Sequence, residues 1–112
     1  MGVRMAGRLL AAGFPLTVYD ISAAAAAPLV EKGAKLAPSP GAAARDAAMV
    51  LSCLPGPSEV EAVMRAADGI LSNAMPGALL VEMSTIGPAQ SRTLAAAAQV
   101  RGLSYIDAPI SN

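Results

Sequence analysis

Residues 1–20, MGVRMAGRLLAAGFPLTVYD, decide the fold class, because a helical pattern runs directly into a short apolar strand. Apolar side chains recur at helical spacing from Val3 to Leu10, and Gly13 stands where the helix should end. The following run, PLTVYD, is typical of a strand and closes on Asp20. No strand precedes the helix in the sequence. The stretch therefore indicates the middle of an alternating α/β unit.

The same alternation continues to the carboxyl end of the chain. Runs rich in Val, Leu, Ile, Tyr and Met are each followed by an Ala-rich stretch. We predict helices over 2–12, 22–32, 40–46, 57–66 and 87–101 and strands over 15–20, 34–37, 48–54, 78–84 and 104–108. Strands that are nearly all apolar favour a parallel sheet covered on both faces. The predicted fold class is α/β, a Rossmann-type doubly wound domain with a mainly parallel sheet.

Glycine and serine mark the predicted helix ends. Glycine tolerates the left-handed conformation of a helix C-terminus, and serine commonly caps a helix N-terminus. The predicted C-terminal caps are Gly13, Gly33 and Gly102. The predicted N-terminal caps are Ser22, Ser39 and Ser58, although Pro57 competes with Ser58 for the start of its helix.

Composition excludes several classes of protein. The chain has 112 residues, which suits one domain, and its formal net charge of zero disfavours binding to nucleic acid or to an anionic membrane. One Cys and no His exclude an internal disulfide and leave no cluster for a metal. The apolar stretches fall short of the ~20 residues that a membrane span needs, and residues 1–20 do not show the charge, apolar core and cleavage-site pattern expected of a signal peptide. We expect a cytoplasmic protein.

Two positions near strand ends carry alternative interpretations. Asp20 closes a strand, where an acidic residue is commonly a turn residue but also holds the adenosine ribose in dinucleotide-binding units. Pro55 ends the third strand because it cannot continue a central ladder. The segment that follows is either a plain loop or part of a ligand edge. Cys53 is predicted to be a small core side chain.

Hydroxyl groups follow the last two strands. Ser84 and Thr85 precede a helix that opens near Pro88, so their side chains either cap that helix or face a ligand, and capping is the simpler interpretation. Asp107 and Pro109 close the final strand, and Ser111 lies two residues beyond Pro109.

Five motifs in this order resemble the nucleotide-binding half of the β-hydroxyacid dehydrogenases, which include 3-hydroxyisobutyrate dehydrogenase and 6-phosphogluconate dehydrogenase. The motifs are MGxxMAxxLL, TVYD, LP, MSTI and DAPIS, and together they cover essentially the whole chain. In that family a first strand leads into a GxGxMG turn, and Met1 and Gly2 match the last two positions of the turn. The resemblance implies that Met1 and Gly2 adjoin the cofactor, that Gly2 allows close helix–strand packing, and that Asp20 holds the ribose diol.

The remaining implied site residues follow from the other motifs. Leu54 and Pro55 would lie along the cofactor, Glu59 near its adenosine side, and Thr85 near the nicotinamide ribose. Ser111 would reach the substrate carboxylate. Because a carboxylate repels a 2′-phosphate, Asp20 favours NAD over NADP as the cofactor.

The family transfers hydride between a 3-hydroxy acid and the nicotinamide, with a lysine of a following helical domain exchanging the alcohol proton. Lys32 and Lys35 lie in the wrong region to replace that lysine, so we assign no catalytic residue to this chain and expect it to be truncated at both ends. Asn112 departs from the glycines that usually follow DAPxS. The complete enzyme is expected to be a homo-oligomer acting on a small hydroxy acid or semialdehyde.

The first strand of the family is central in the strand order 3-2-1-4-5-6, and here it is missing. The strands on either side would close onto each other, recruit another chain, or stay exposed. We expect the chain alone to bind NAD poorly, because the turn that donates backbone N–H groups to the pyrophosphate is incomplete. The alternative function is a non-enzymatic module for nucleotide sensing or protein interaction.

Overall fold

Helices and strands alternate through residues 2–111, which are the residues that the computed structural model describes. The helices are α1 (Gly2–Ala11), α2 (Ala23–Glu31), α3 (Pro40–Ala44), α4 (Pro57–Arg65), α5 (Ile70–Asn73) and α6 (Pro88–Val100). The strands are β1 (Thr17–Val18), β2 (Lys35–Leu36), β3 (Met49–Ser52), β4 (Leu79–Glu82) and β5 (Ser104–Asp107). Every predicted element is confirmed, and α5 is an addition.

The strands form two separate parallel sheets. In the first sheet β1 pairs with β2, and in the second β4 lies between β3 and β5. Parallel strands joined through helices confirm the α/β fold class. In the second sheet the register aligns Ser52, Glu82 and Asp107 across the three strands at their carboxyl ends.

A gap separates the two sheets. Within the described residues no strand pairs with the remaining edge of β1 or of β3, so these two strands do not close onto each other. This arrangement confirms the predicted sheet without its central first strand. Strands β1 and β2 are also shorter than predicted, because a two-stranded sheet supports its ends weakly.

The core lies on one face of the three-stranded sheet. Leu80 at the centre of β4 is buried there with residues of α4, α5 and α6, among them Val60, Met64 and Leu94. On the other face Met49 and Ile106 are 55% and 48% exposed. The prediction of a sheet covered on both faces is therefore wrong for the described residues. Right-handed crossovers that advance in one direction place their helices on the same face.

The helix ends follow most of the predicted signals. The predicted C-terminal glycines have positive φ angles, 91° at Gly13, 108° at Gly33 and 73° at Gly102. The Ser39 side chain caps α3 by accepting a hydrogen bond from the Ala42 amide at 3.0 Å.

The other two predicted serine caps differ from the structure. Ser22 occupies the N-cap position of α2 without a side-chain hydrogen bond. Gly56 takes the N-cap position of α4 and Pro57 opens the helix, so the prediction for Ser58 is wrong. None of the helices within residues 2–111 is long and apolar enough to cross a membrane.

Candidate functional site

The carboxyl ends of β3, β4 and β5 continue as neighbouring segments at one edge of the sheet. The Met83 amide donates a hydrogen bond to the Ser52 carbonyl at 2.8 Å, and the Ile110 amide donates to the Met83 carbonyl at 3.2 Å. These bonds extend the strand pairing past the end of the sheet. They bring the segments that carry Leu54, Thr85 and Ser111 to the same edge, where open α/β sheets bind ligands.

A pocket of about 260 Å³ lies at this edge, and its walls are formed by Gly2, Cys53, Leu54 and Pro55. The N-terminus of α1 opens beside it. The unpaired N–H groups and the dipole of a helix N-terminus favour an anionic ligand such as a pyrophosphate. The pocket therefore joins Gly2, Leu54 and Pro55 in one place, as the resemblance implies, and its chemistry fits a dinucleotide.

Gly2 and Cys53 face each other across the pocket wall. A Cβ atom on Gly2 would lie 3.9 Å from the Cys53 Cβ, an ordinary contact, so helix–strand packing alone does not require a glycine there. Cys53 is half-buried in the pocket wall. The prediction that Cys53 belongs to the core is wrong, because the core helices pack on the opposite face of β3 and the N-terminus of α1 lies against Cys53. Met1 lies outside the described residues.

Asp20 lies just beyond β1 and is exposed. Its Oδ1 atom accepts a hydrogen bond from the Ser22 amide at 2.9 Å, which is the turn role that an aspartate commonly takes. Within residues 2–111, no hydrogen bond reaches its other oxygen, and no lysine or arginine pairs with it. Asp20 does not line the pocket. The turn role is present, and it uses only one of the two carboxylate oxygens of this exposed residue.

The remaining predicted residues are exposed on the same edge or near it. Glu59 lies in the first turn of α4, where its carboxylate complements the helix dipole, and its Oε2 atom is 3.5 Å from the Ser58 hydroxyl. Thr85 and Ser111 are exposed. Within the described part of the chain, neither of their hydroxyl groups forms a hydrogen bond.

A buried network behind the pocket was not predicted. The Ser52 hydroxyl donates to Glu82 Oε2 at 2.6 Å, and the Ser84 amide donates to Glu82 Oε1 at 2.8 Å. The Ser84 hydroxyl in turn accepts the Leu54 amide at 2.8 Å. The interpretation of Ser84 and Thr85 as helix caps is wrong, because Gly87 occupies the N-cap position of α6. An acidic residue inside the apolar run LLVEMS was the available signal.

Tyr105 lies beside this network. Burial raises the pKa of Tyr105, the charges of Glu82 and Asp107 add to the rise, and the nearby Ser91 hydroxyl opposes it. The Tyr105 hydroxyl is buried and lies outside hydrogen-bond geometry with any described residue.

Among residues 2–111 no three His, Cys, Asp or Glu side chains lie close enough together to hold a metal ion.

Comparison with known proteins gives consistent matches. A family model described as the NAD binding domain of 6-phosphogluconate dehydrogenase matches residues 1–112. An NAD-dependent L-serine dehydrogenase of Pseudomonas aeruginosa is 43% identical over 99% of the chain, and a 3-hydroxyisobutyrate dehydrogenase of the same species is 40% identical over 99%. The chain spans 37% of the length of each.

A solved structure shows the same fold. Psf3 in complex with NADP+ and 2-OPP superposes with a TM-score of 0.93 at 34% identity. The superposition covers 100% of this chain and 40% of that one.

Proposed function

The chain belongs to the family described as the NAD binding domain of 6-phosphogluconate dehydrogenase, and from this premise we propose that residues 1–112 are the dinucleotide-binding part of a longer oxidoreductase. One observation carries the proposal. The N-terminus of α1 and the Leu54–Pro55 turn line a single pocket at the carboxyl edge of a parallel sheet. That is where the pyrophosphate of a dinucleotide binds in this class of fold.

Each of the predicted residues has a place in the proposed complex. Gly2 adjoins the pyrophosphate at the start of α1, Leu54 and Pro55 lie along the cofactor, and the resemblance assigns Met1 to the cofactor as well. Asp20 Oδ2 accepts a hydrogen bond from the adenosine ribose, while Oδ1 keeps the hydrogen bond from the Ser22 amide. Because the two oxygens have different partners, Asp20 can stabilise the turn and bind the ribose at the same time.

Three more residues extend the site along the sheet edge. Glu59 adjoins the adenosine side from the first turn of α4, and Thr85 adjoins the nicotinamide ribose. Ser111 contacts the substrate carboxylate. The backbone bonds that place the segment after β5 against the segment after β4 support neighbouring positions for the last two residues.

We propose NAD rather than NADP as the cofactor. The relatives do not agree on this point, since one is NAD-dependent and the solved structure holds NADP+. A 2′-phosphate would lie against the Asp20 carboxylate, and within residues 2–111 no cation pairs with that carboxylate. The repulsion and the lost ribose hydrogen bond both favour NAD.

The complete protein is proposed to act on a small 3-hydroxy acid or semialdehyde, in line with the activities named for its relatives. The nicotinamide supplies hydride chemistry, and the protein supplies orientation and a proton donor. We place the catalytic lysine in a helical domain outside residues 1–112. Lys35 lies in β2 and Lys32 is the C-cap residue of α2, so neither belongs to the three-stranded sheet whose edge carries the proposed site. A homo-oligomeric, cytoplasmic enzyme without nucleic-acid partners completes the proposal.

A titration of the 112-residue chain with NAD, followed by residue-resolved NMR, tests the site. We expect weak, millimolar binding, because the gap between the sheets leaves the α1 end of the pocket without its neighbouring strand. Shifts should concentrate at Gly2, Leu54 and Thr85. Micromolar affinity would contradict the argument from the gap, and the absence of shifts at these residues would contradict the site.

A matched pair of variants tests the assignment of Asp20. Asp20→Asn should weaken NAD binding and narrow the preference for NAD over NADP. Asp46→Asn is the control, because Asp46 is also exposed but precedes β3 at the opposite edge of the sheet. Equal effects of the two substitutions would contradict a ribose contact at Asp20.

A further inference from the structure

Glu82 is a fully buried carboxylate at the end of the central strand β4, with 0% of its surface exposed. Within residues 2–111 no lysine or arginine forms an ion pair with it. Burying a carboxylate without a cation is costly unless hydrogen bonds replace the lost water. We therefore expect Glu82 to have a role other than packing in the core.

The hydrogen bonds on Glu82 join two turns of the proposed site. One carboxylate oxygen accepts the Ser52 hydroxyl, at the end of β3, and the other accepts the Ser84 amide, just after β4. Both oxygens are thus used, each by a different strand end. The carboxylate holds the two chain segments at a fixed separation where they leave the sheet.

The network then reaches the pocket wall itself. The Ser84 hydroxyl accepts the amide of Leu54, and Leu54 lines the pocket. Ser84 is 2% exposed, so the acceptor of this bond is buried, while the donor Leu54 is half-buried. The orientation of the Leu54–Pro55 turn therefore depends on Ser84, whose own amide is held by Glu82.

We propose that Glu82 is a positioning residue for the dinucleotide, acting through Ser84 to fix the Leu54 turn relative to Thr85. The inference rests on the function proposed above, because it assumes that Leu54 and Thr85 contact the cofactor. Glu82 itself is buried behind the turns and touches neither the pocket nor the ligand. Glu82 holds the Leu54 turn in place before the dinucleotide binds, so that binding does not carry the entropic cost of ordering this turn.

The chemistry explains why an acidic side chain stands in an apolar strand. A carboxylate accepts on both oxygens and donates on neither, which matches one hydroxyl donor and one amide donor. A glutamine of the same shape keeps one carbonyl oxygen for the Ser84 amide, and its NH₂ group can donate to a rotated Ser52 hydroxyl. Leucine has a similar size and accepts neither bond.

Amide hydrogen exchange at Leu54, measured by NMR without any ligand, tests the network. Ser84→Ala should lower the protection of the Leu54 amide by about fivefold, the equivalent of one hydrogen bond. Glu82→Leu should lower it similarly, and Glu82→Gln should stay within about twofold of the original chain. Ser91→Ala is the matched control, because Ser91 is also a buried serine but lies in α6, outside the network.

If Glu82→Leu does not fold, Ser84→Ala still tests the proposal, because this variant keeps the hydrogen bond between Ser52 and Glu82. Unchanged Leu54 protection in Ser84→Ala would overturn the proposal, as would equal loss in Ser91→Ala. A folded Glu82→Leu variant with full Leu54 protection would overturn it too. Amide hydrogen exchange at Leu54 is measured without a cofactor, so these outcomes do not depend on the proposed function.

The second measurement is the NMR titration with NAD. If Glu82 only stabilised the fold, Ser84→Ala would lower the thermal midpoint without a selective change at the pocket. We expect instead that NAD-induced shifts at Leu54 and Thr85 need about fivefold more NAD in Ser84→Ala than in Ser91→Ala, at a temperature below the thermal midpoints of both variants. Equal NAD dependence in both variants would refute the positioning role. Absence of NAD-induced shifts in the original chain would instead refute the proposed function.

Discussion

Replacement of Gly41 by alanine should destabilise the protein, although alanine is the better helix former. Gly41 is a buried residue of α3 that packs against the loop before α5 and against α5 itself. An added Cβ would lie 2.5 Å from the Asn73 side-chain nitrogen and 2.6 Å from the Asp68 carbonyl oxygen. Contacts this short require one of these groups to move.

Neither group can move without losing hydrogen bonds. The Asp68 carbonyl accepts the Gly41 amide at 2.7 Å, and the Asn73 side chain donates to the carbonyls of Ala67 and Gly69 at 3.1 and 2.7 Å. Overpacking costs about 1–3 kcal/mol and each lost hydrogen bond about 1 kcal/mol, against a gain of about 1 kcal/mol from helix propensity. The net loss in the free energy of unfolding should be about 2 kcal/mol, which lowers the midpoint by about 8 °C.

Gly7→Ala provides the matched control. Gly7 also lies inside a helix, but a Cβ added there meets nothing within 4 Å. This substitution should stabilise the chain by about 0.5–1 kcal/mol through helix propensity alone. Urea unfolding followed by far-ultraviolet circular dichroism measures both variants. If Gly41→Ala raised the stability as much as Gly7→Ala, the close packing between α3 and the loop before α5 would be disproved.

Three further substitutions test the core, a helix cap and a buried phenol. Leu80→Ala, at a position 1% exposed in the centre of β4, should cost about 2–5 kcal/mol in urea unfolding. Ser39→Ala should cost about 1 kcal/mol by removing the α3 cap, and an unchanged urea midpoint would argue against that cap. Because burial raises the pKa of Tyr105 above its ordinary 10.0, the neutral phenol stabilises the fold below that pH, and this contribution is lost as the pH rises through the folded pKa. Tyr105→Phe should therefore flatten the alkaline loss of stability, measured by urea unfolding across the alkaline pH range, and an unchanged pH profile in this variant would contradict the role of the buried phenol.

Local patterns were sufficient to predict most of the fold. Apolar periodicity located each long helix, and Pro55 placed the end of β3 where the pocket lies. The short helix α5 was missed because its four residues, Ile70–Asn73, are too few to show a period. Its geometry depends instead on Asn73, whose side chain holds the preceding loop through the Ala67 and Gly69 carbonyls.

The sequence by itself determined the alternation of helices and parallel strands and the edge of the sheet at which we propose the site. Periodicity, proline and glycine act over a few residues, so their consequences can be inferred without a structure. Only the tertiary structure decided what Glu82, Ser84 and Cys53 do. The pairing of Ser52 with Glu82 joins positions that are 30 residues apart and depends on the register of β3 against β4. The partial burial of Cys53 likewise depends on which face of the sheet the core helices cover and on where α1 begins, and that is a property of the assembled layers.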